Sequence, residues 1–215
     1  MDSTFEPDIW STKLLTKLEA RNMGADQTNR HARVDIEEIK KAIYFCKKYH
    51  ADQKRNSGEP YYSHPITVAD MVSDYIFRTD IIVTSILHDT IEDTELTFEM
   101  IVESFGELVA VQVENLTRVK SGKKISSAEM VESLWKQKKY DVLLIKLFDR
   151  LHNMRTIKAK SPEKTKKIVE ETLLIFLSLA AYLGKLGIEK EIGELCMQTE
   201  ATDPNSPPEQ ENFFF

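Results

Sequence analysis

Cysteine is nearly absent from this 215-residue chain: Cys46 and Cys196 are the only two, each in a helix-like segment without a partner pattern. That excludes a disulfide-framed secreted fold and leads to the expectation of a reduced, cytoplasmic setting. Glycine and proline are scarce too, seven of each, and few segments alternate with period two, which excludes a turn-rich β architecture. No apolar run approaches the length of a membrane span, and the opening "MDSTFEPDIW" lacks the basic and apolar regions of a signal peptide. No membrane partner is expected. Nor is there a strongly basic block: 29 Lys and Arg against 35 Asp and Glu give a formal net charge of −6. This argues against a nucleic-acid partner but allows a local basic pocket for a phosphorylated small molecule. Nothing in the composition fixes an oligomeric state.

What remains is an ordinary hydrophobic content of 41% on a chain long enough to bury a core. Apolar residues recur at helical spacing, as in Ile36, Ile39, Ala42, Ile43 and Cys46, and again in Ile168, Leu173, Phe176, Leu177 and Ala180. The same spacing predicts helices over 66–77, 80–92, 97–104, 107–116, 128–156 and 187–198, so the fold class is all-α. Residues 1–35 read as a polar N-terminal extension with one amphipathic helix near 13–20. Residues 36–198 read as the folded domain, and 199–215, with "ATDPNSPPEQEN", as a disordered tail.

One stretch breaks the pattern of buried apolar residues with solvent-facing charge. "SILHDTIEDT", Ser85 to Thr94, places one histidine and three carboxylates beside Ile82, Val83, Ile86 and Leu87. Unpaired charge at the edge of an apolar core is costly. On a single helix His88 and Asp89 lie about 100° apart and Glu92 stands one turn beyond His88 on the same face. Imidazole beside carboxylate is the usual pairing for a divalent first-row metal. His64, before Pro65 in "SGEPYYSHP", and Asp149, interrupting the apolar helix "VLLIKLFDRLHNMRT", are further candidate ligands. Each alone reads more blandly, as a capping residue, a surface pair or a helix ion pair. Together, His…His-Asp…Asp in this order is the signature of the HD phosphohydrolase superfamily.

The chain resembles the hydrolase domain of the RelA/SpoT homologue family, the enzymes of (p)ppGpp turnover. "RNSGEPYYSHP", "LHDTIEDT", "FGELVAVQVENLT" and "KLFDRLHNMRT" each look like a family word, in the family order, and "LAAYLGKLGIEKEIGEL" resembles the helix pair that closes that domain. The resemblance implies an all-α HD-domain helical bundle over 36–198, and a metal-dependent 3′-pyrophosphohydrolase acting on the guanosine nucleotides ppGpp and pppGpp. It implies His64, His88, Asp89 and Asp149 as ligands of Mn²⁺, Glu92 and Asp93 as the catalytic acidic pair, and Arg55, Ser57, Asn153 and Thr156 as nucleotide contacts. Helical arithmetic agrees for one group: Asp149, Asn153 and Thr156 fall within about 60° of one another.

The chain departs from the family at several points. Asn56 stands where a lysine is common, and Ala181 and Tyr182 where a His-Arg pair is common. The stretch between Thr117 and Tyr140 is shorter than in long members, with Lys120, Lys123 and Lys124 as its basic residues. No synthetase domain fits, so a stand-alone hydrolase or one fragment of a split enzyme is expected. Two other readings stay open: a related nucleotide phosphohydrolase such as an NADPH 2′-phosphatase, and a non-catalytic alarmone-sensing module.

Overall fold

The structure, a computed structural model, describes residues 7–25, 33–120 and 123–201. The chain divides into two compact units, Met1–His152 and Asn153–Phe215.

The first unit is built around a helix that is apolar on nearly every side. This is α4 (Thr79–Leu87), in which Ile81, Ile82, Val83, Ile86 and Leu87 have no exposed surface. A helix of this kind is a core element. Its two interior hydroxyls are satisfied locally: Thr84 donates to Gln112 Oε1 at 2.6 Å and Ser85 to the Ile81 carbonyl at 2.7 Å. Against α4 pack α2 (Ile36–His50), α3 (Ser63–Ser73) and α7 (Glu107–Leu116). α1 (Ile9–Gly24) packs on α3, and α6 (Phe98–Phe105) on α7. The buried stripe of α2 is Ile39, Ala42, Ile43, Cys46 and His50, the spacing of one helix face. Leu14, Leu15 and Leu18 of α1 join the same buried cluster as Ile39, Ile66, Ile86 and Val113. Each fully buried aliphatic side chain there contributes about 1.5–3 kcal/mol.

Helix starts are set by capping residues. Asp8 and Ser11 form a reciprocal capping box at α1, Asp35 caps α2, Thr97 caps α6, and Ser126 with Glu129 boxes the start of α8 (Ser127–Lys136). Between α7 and α8 the backbone makes a two-residue antiparallel pairing, Val119–Lys120 with Lys123–Lys124. The all-α expectation holds, and among the described residues no helix is long and apolar enough to cross a membrane.

Two helices predicted as continuous are broken. The 128–156 helix is α8 followed by α9 (Tyr140–Arg155). At the junction Lys138 takes φ 58°, its N–H donates to Trp135 O at 2.9 Å, and the Lys139 N–H reaches Leu134 O at 3.0 Å. That is a Schellman stop, with lysine where glycine is usual. The 80–92 helix ends at Leu87 and restarts as a single turn, α5 (Thr90–Asp93). Here side chains take the last carbonyls of α4: His88 Nδ1–H donates to Ser85 O and the Thr90 hydroxyl to Leu87 O, each at 2.7 Å.

In the second unit a 3₁₀ turn (Ile157–Ala159) precedes α10 (Pro162–Glu171), which has proline in its first turn. A π-helical turn over Thr172–Phe176 leads into α11 (Leu177–Tyr182). Gly184, at φ 65°, closes α11 with a Schellman stop, and α12 (Leu186–Ala201) follows. Val169, Phe176, Leu179, Ile188, Ile192 and Cys196 are among the buried apolar residues of this unit. Both cysteines are free and buried.

Candidate metal centre

His64 lies in the first turn of α3, where the missing N–H of Pro65 costs no helical hydrogen bond. His88 and Asp89 occupy the break between α4 and α5, and Asp149 sits in α9. His64, His88 and Asp149 are buried and offer ligand atoms that all lie within 4.8 Å of one another. His64 Nε2 is 3.1 Å from Asp149 Oδ1 and 3.7 Å from Asp89 Oδ2. His88 Nε2 is 3.2 Å from Asp89 Oδ1 and 3.9 Å from Asp149 Oδ1. Asp89 therefore borders both imidazoles, with a different oxygen towards each.

The donor set fits a divalent cation. Ligand atoms about 2.1 Å from one ion are roughly 3 Å apart when adjacent and roughly 4.2 Å when opposite, which brackets these separations. The tautomer of His88 agrees. Its Nδ1–H is spent on Ser85 O, so Nε2 carries the lone pair, and this nitrogen is buried without a hydrogen-bond partner. Such an orphan is expensive unless something electrophilic meets it.

Side chains that sequence reasoning did not single out complete the centre. Lys146, one turn before Asp149 on α9, pairs with Asp149 Oδ2 at 2.7 Å and leaves Oδ1 facing the histidines. Burial opposes ionisation of Asp149, but the Lys146 ammonium and the hydrogen bond from His64 hold its carboxyl well below the usual range. Burial pushes the His64 imidazole down, towards the neutral form that a ligand needs. His64 Nδ1 is 2.8 Å from His152 Nδ1, so His152 fixes the ring from behind, as outer partners of metal-bound histidines do. Tyr61 O–H lies 3.1 Å from Asp89 Oδ2 and 2.8 Å from Asp93 Oδ2. The i−3 spacing of Lys146 was a readable signal. His152 stood in view inside "DRLHNMRT" and Tyr61 inside "GEPYY", but neither position is marked by spacing alone.

The remaining expected site residues fall in different places. Asp93, the last residue of α5, has its carboxyl pushed up by burial and by the charge of Asp89. The Glu92 carboxylate is held by Arg118, whose backbone N–H donates at 3.0 Å and whose Nε stands 3.6 Å away. Arg55 and Ser57 belong to a tight turn in which Gly58, at φ 90°, donates to Arg55 O and the Arg55 N–H to Glu59 O. The Arg55 guanidinium is half-buried, and burial lowers its pKa against the opposing charges of Asp149 and Asp89. Ser57 is at the exposed tip, 3.5 Å from Glu59 Oε2. Asn153 and Thr156 belong to the second unit, where the Thr156 hydroxyl is 3.4 Å from Asn153 O.

Comparison with known proteins identifies the family. The chain matches the HD-domain family over residues 42–187. It is 42% identical over 159 residues to the guanosine-3′,5′-bis(diphosphate) 3′-pyrophosphohydrolase of Aquifex aeolicus (strain VF5), covering 73% of this chain and 23% of that protein. With the GTP pyrophosphokinase of Myxococcus xanthus it shares 39% identity over 177 residues, covering 77% and 23%. The chain thus spans less than a quarter of the length of these curated relatives. A solved structure of a metazoan ortholog of SpoT that hydrolyses ppGpp shares the fold, with a TM-score of 0.55 and 22% identity over 75% of this chain and 94% of that one. The family match alone reaches across more than half of the sequence, and the protein belongs to the HD-domain family, with relatives of the RelA/SpoT type.

Proposed function

We propose that this chain hydrolyses the 3′-diphosphate of guanosine tetra- or pentaphosphate, releasing pyrophosphate and GDP or GTP, with Mn²⁺ held by His64, His88, Asp89 and Asp149. The observation that carries the reading is the His88 Nε2 lone pair, buried, unpartnered and facing a second imidazole and two carboxylates. The named activity of the Aquifex relative supplies the substrate class. Residues 36–198 form the hydrolase region, which acts in the cytoplasm on a free nucleotide.

A metal ion at such a site supplies Lewis acidity and a bound water whose pKa falls towards neutrality. The chain's own residues do the rest. The Glu92/Asp93 pair takes the proton of the attacking water, and the raised carboxyl of Asp93 moves in the direction that favours general-base work near neutral pH. Arg55 supplies a planar cation suited to a phosphate group. Ser57, Asn153 and Thr156 contact the nucleoside part of the substrate.

The test is product analysis by anion-exchange chromatography after incubating the purified chain with ppGpp and Mn²⁺. Pyrophosphate and GDP are expected, with plain GTP left intact. Orthophosphate as the sole phosphate product, efficient cleavage of GTP, or turnover of NADPH in preference to ppGpp overturns the substrate assignment.

A further inference from the structure

Tyr61 meets the centre through a single phenolic hydroxyl that faces two carboxylates at once, Asp89 Oδ2 at 3.1 Å and Asp93 Oδ2 at 2.8 Å. Two anions converging on one point repel each other, and a proton donor between them holds them in place. The phenol has one proton to give, and the two carboxylate oxygens share it in a three-centre hydrogen bond.

The ring that carries this hydroxyl is braced by its neighbours. It stacks on the fully buried His50 with centroids 4.6 Å apart and an interplanar angle of 23°. His50 Nδ1 is hydrogen-bonded to Gln53 Oε1 at 2.9 Å, and Gln53 Nε2 donates to the Asp93 carbonyl at 2.8 Å. The Gln53 carbonyl accepts the Tyr61 N–H at 2.9 Å, which closes the circuit. The end of α2, the turn before α3 and the short α5 are thereby locked to one another around the phenol.

We propose that Tyr61 is a positioning residue of the metal centre: its hydroxyl orients Asp89 as a ligand and fixes Asp93 for its part in the reaction. With Oδ2 of Asp89 engaged by the phenol, Oδ1 stays directed at His88 Nε2, 3.2 Å away. The rate arm of the test rests on the function proposed above, whereas the metal arm does not.

The variant is Tyr61→Phe, which keeps the stacking ring and removes only the hydroxyl. Calorimetric titration of nucleotide-free protein with Mn²⁺ should show affinity weakened about 10-fold or more, the usual effect of losing an outer partner of a ligand. At saturating Mn²⁺, kcat for ppGpp should fall while KM stays within about twofold of wild type. Wild-type Mn²⁺ affinity and kcat in a variant of unchanged melting temperature overturn the proposal. A wild type that binds no Mn²⁺ overturns both this and the ligand assignment. Wild-type protein that binds Mn²⁺ but leaves ppGpp intact sinks the substrate reading only, and the affinity loss in Tyr61→Phe then still supports Tyr61. Should Tyr61→Phe fail to fold, Gln53→Leu decides the matter, since it cuts the brace and leaves the phenol. A measurable loss of Mn²⁺ affinity is then expected, and unchanged affinity overturns the proposal.

Discussion

His88 has one nitrogen committed to a backbone carbonyl and one left bare, and this division of labour within a single ring is the most informative detail of the centre. Asp149 divides in the same way, one oxygen on Lys146 and one towards the histidines. Asp149→Ala therefore removes a proposed ligand and strands the Lys146 ammonium, and both bound Mn²⁺ and ppGpp turnover should be lost together. Elemental analysis of the dialysed protein checks the first and a pyrophosphate assay the second; undiminished turnover in chelated, metal-free protein would overturn the ligand set. The acidic pair should behave differently. Glu92→Gln and Asp93→Asn leave the ligands untouched, so metal content should stay near wild type while the rate falls on the order of 10²–10⁴-fold. Loss of metal in proportion to activity would make them structural instead. The ligand candidates were legible in the sequence because histidine and aspartate are conspicuous in apolar surroundings. Tyr61 and His152 were not, because their roles depend on which segments meet in space, whereas Lys146, three residues before Asp149 on the same helix, left a readable spacing.

At the level of helices, the apolar periodicity located most elements, and the misses have a common physical cause. Both unexpected breaks are made by hydrogen bonds that no glycine or proline announces: a lysine in the left-handed region at 138, and the side chains of His88 and Thr90 on the end of α4. The second break also takes His88 and Asp89, the proposed ligands, out of a regular helix. The start of α1 carries its own prediction. Asp8 accepts from the Trp10 and Ser11 N–H groups at 3.0 and 2.9 Å and pairs with Lys47 at 2.6 Å. Burial works against its ionisation, but Lys47 and Ser11 outweigh it and hold the carboxyl below its ordinary 3.8. A depressed carboxyl stabilises the fold above the unfolded pKa, and that contribution disappears as pH falls through the folded value. Asparagine keeps the cap and removes the charge, so Asp8→Asn should cost up to about 1 kcal/mol at pH 7. The difference from wild type should narrow steadily as pH is taken below 3.8, as read from urea unfolding at pH 7 and at successively lower pH. A gap that persists at low pH would mean that the charge of Asp8 is unimportant.

Over the whole molecule, the all-α class was legible because periodicity survives whatever the helices pack against. The division at residue 152 was not, since it falls inside α9, where the apolar pattern runs on without a change of composition. The first thirty-five residues read as polar, yet Leu14, Leu15 and Leu18 lie in the first unit's core, a short stripe that long flanking polar stretches dilute. For Asn153 and Thr156, in the second unit, contact with the nucleotide is the proposed role. Asn153→Ala and Thr156→Ala should lower kcat/KM for ppGpp, chiefly through KM, with bound metal unchanged. Steady-state kinetics beside elemental analysis checks this, and loss of metal in either variant would contradict it. The centre also has a mechanical side. His64 and Asp149 are 85 positions apart, with His88 between them, so an ion held by all three is a reversible cross-link closing two long loops of chain. Mn²⁺ at about 100 times its Kd should stabilise the fold by about 2.7 kcal/mol and raise the Tm by about 5–10 °C. Differential scanning fluorimetry with Mn²⁺ and with chelator measures that shift, and Asp149→Ala should abolish it. An ion bound as proposed would be a fastener as well as a reagent, and metal starvation would loosen the fold in the same act that silences the chemistry.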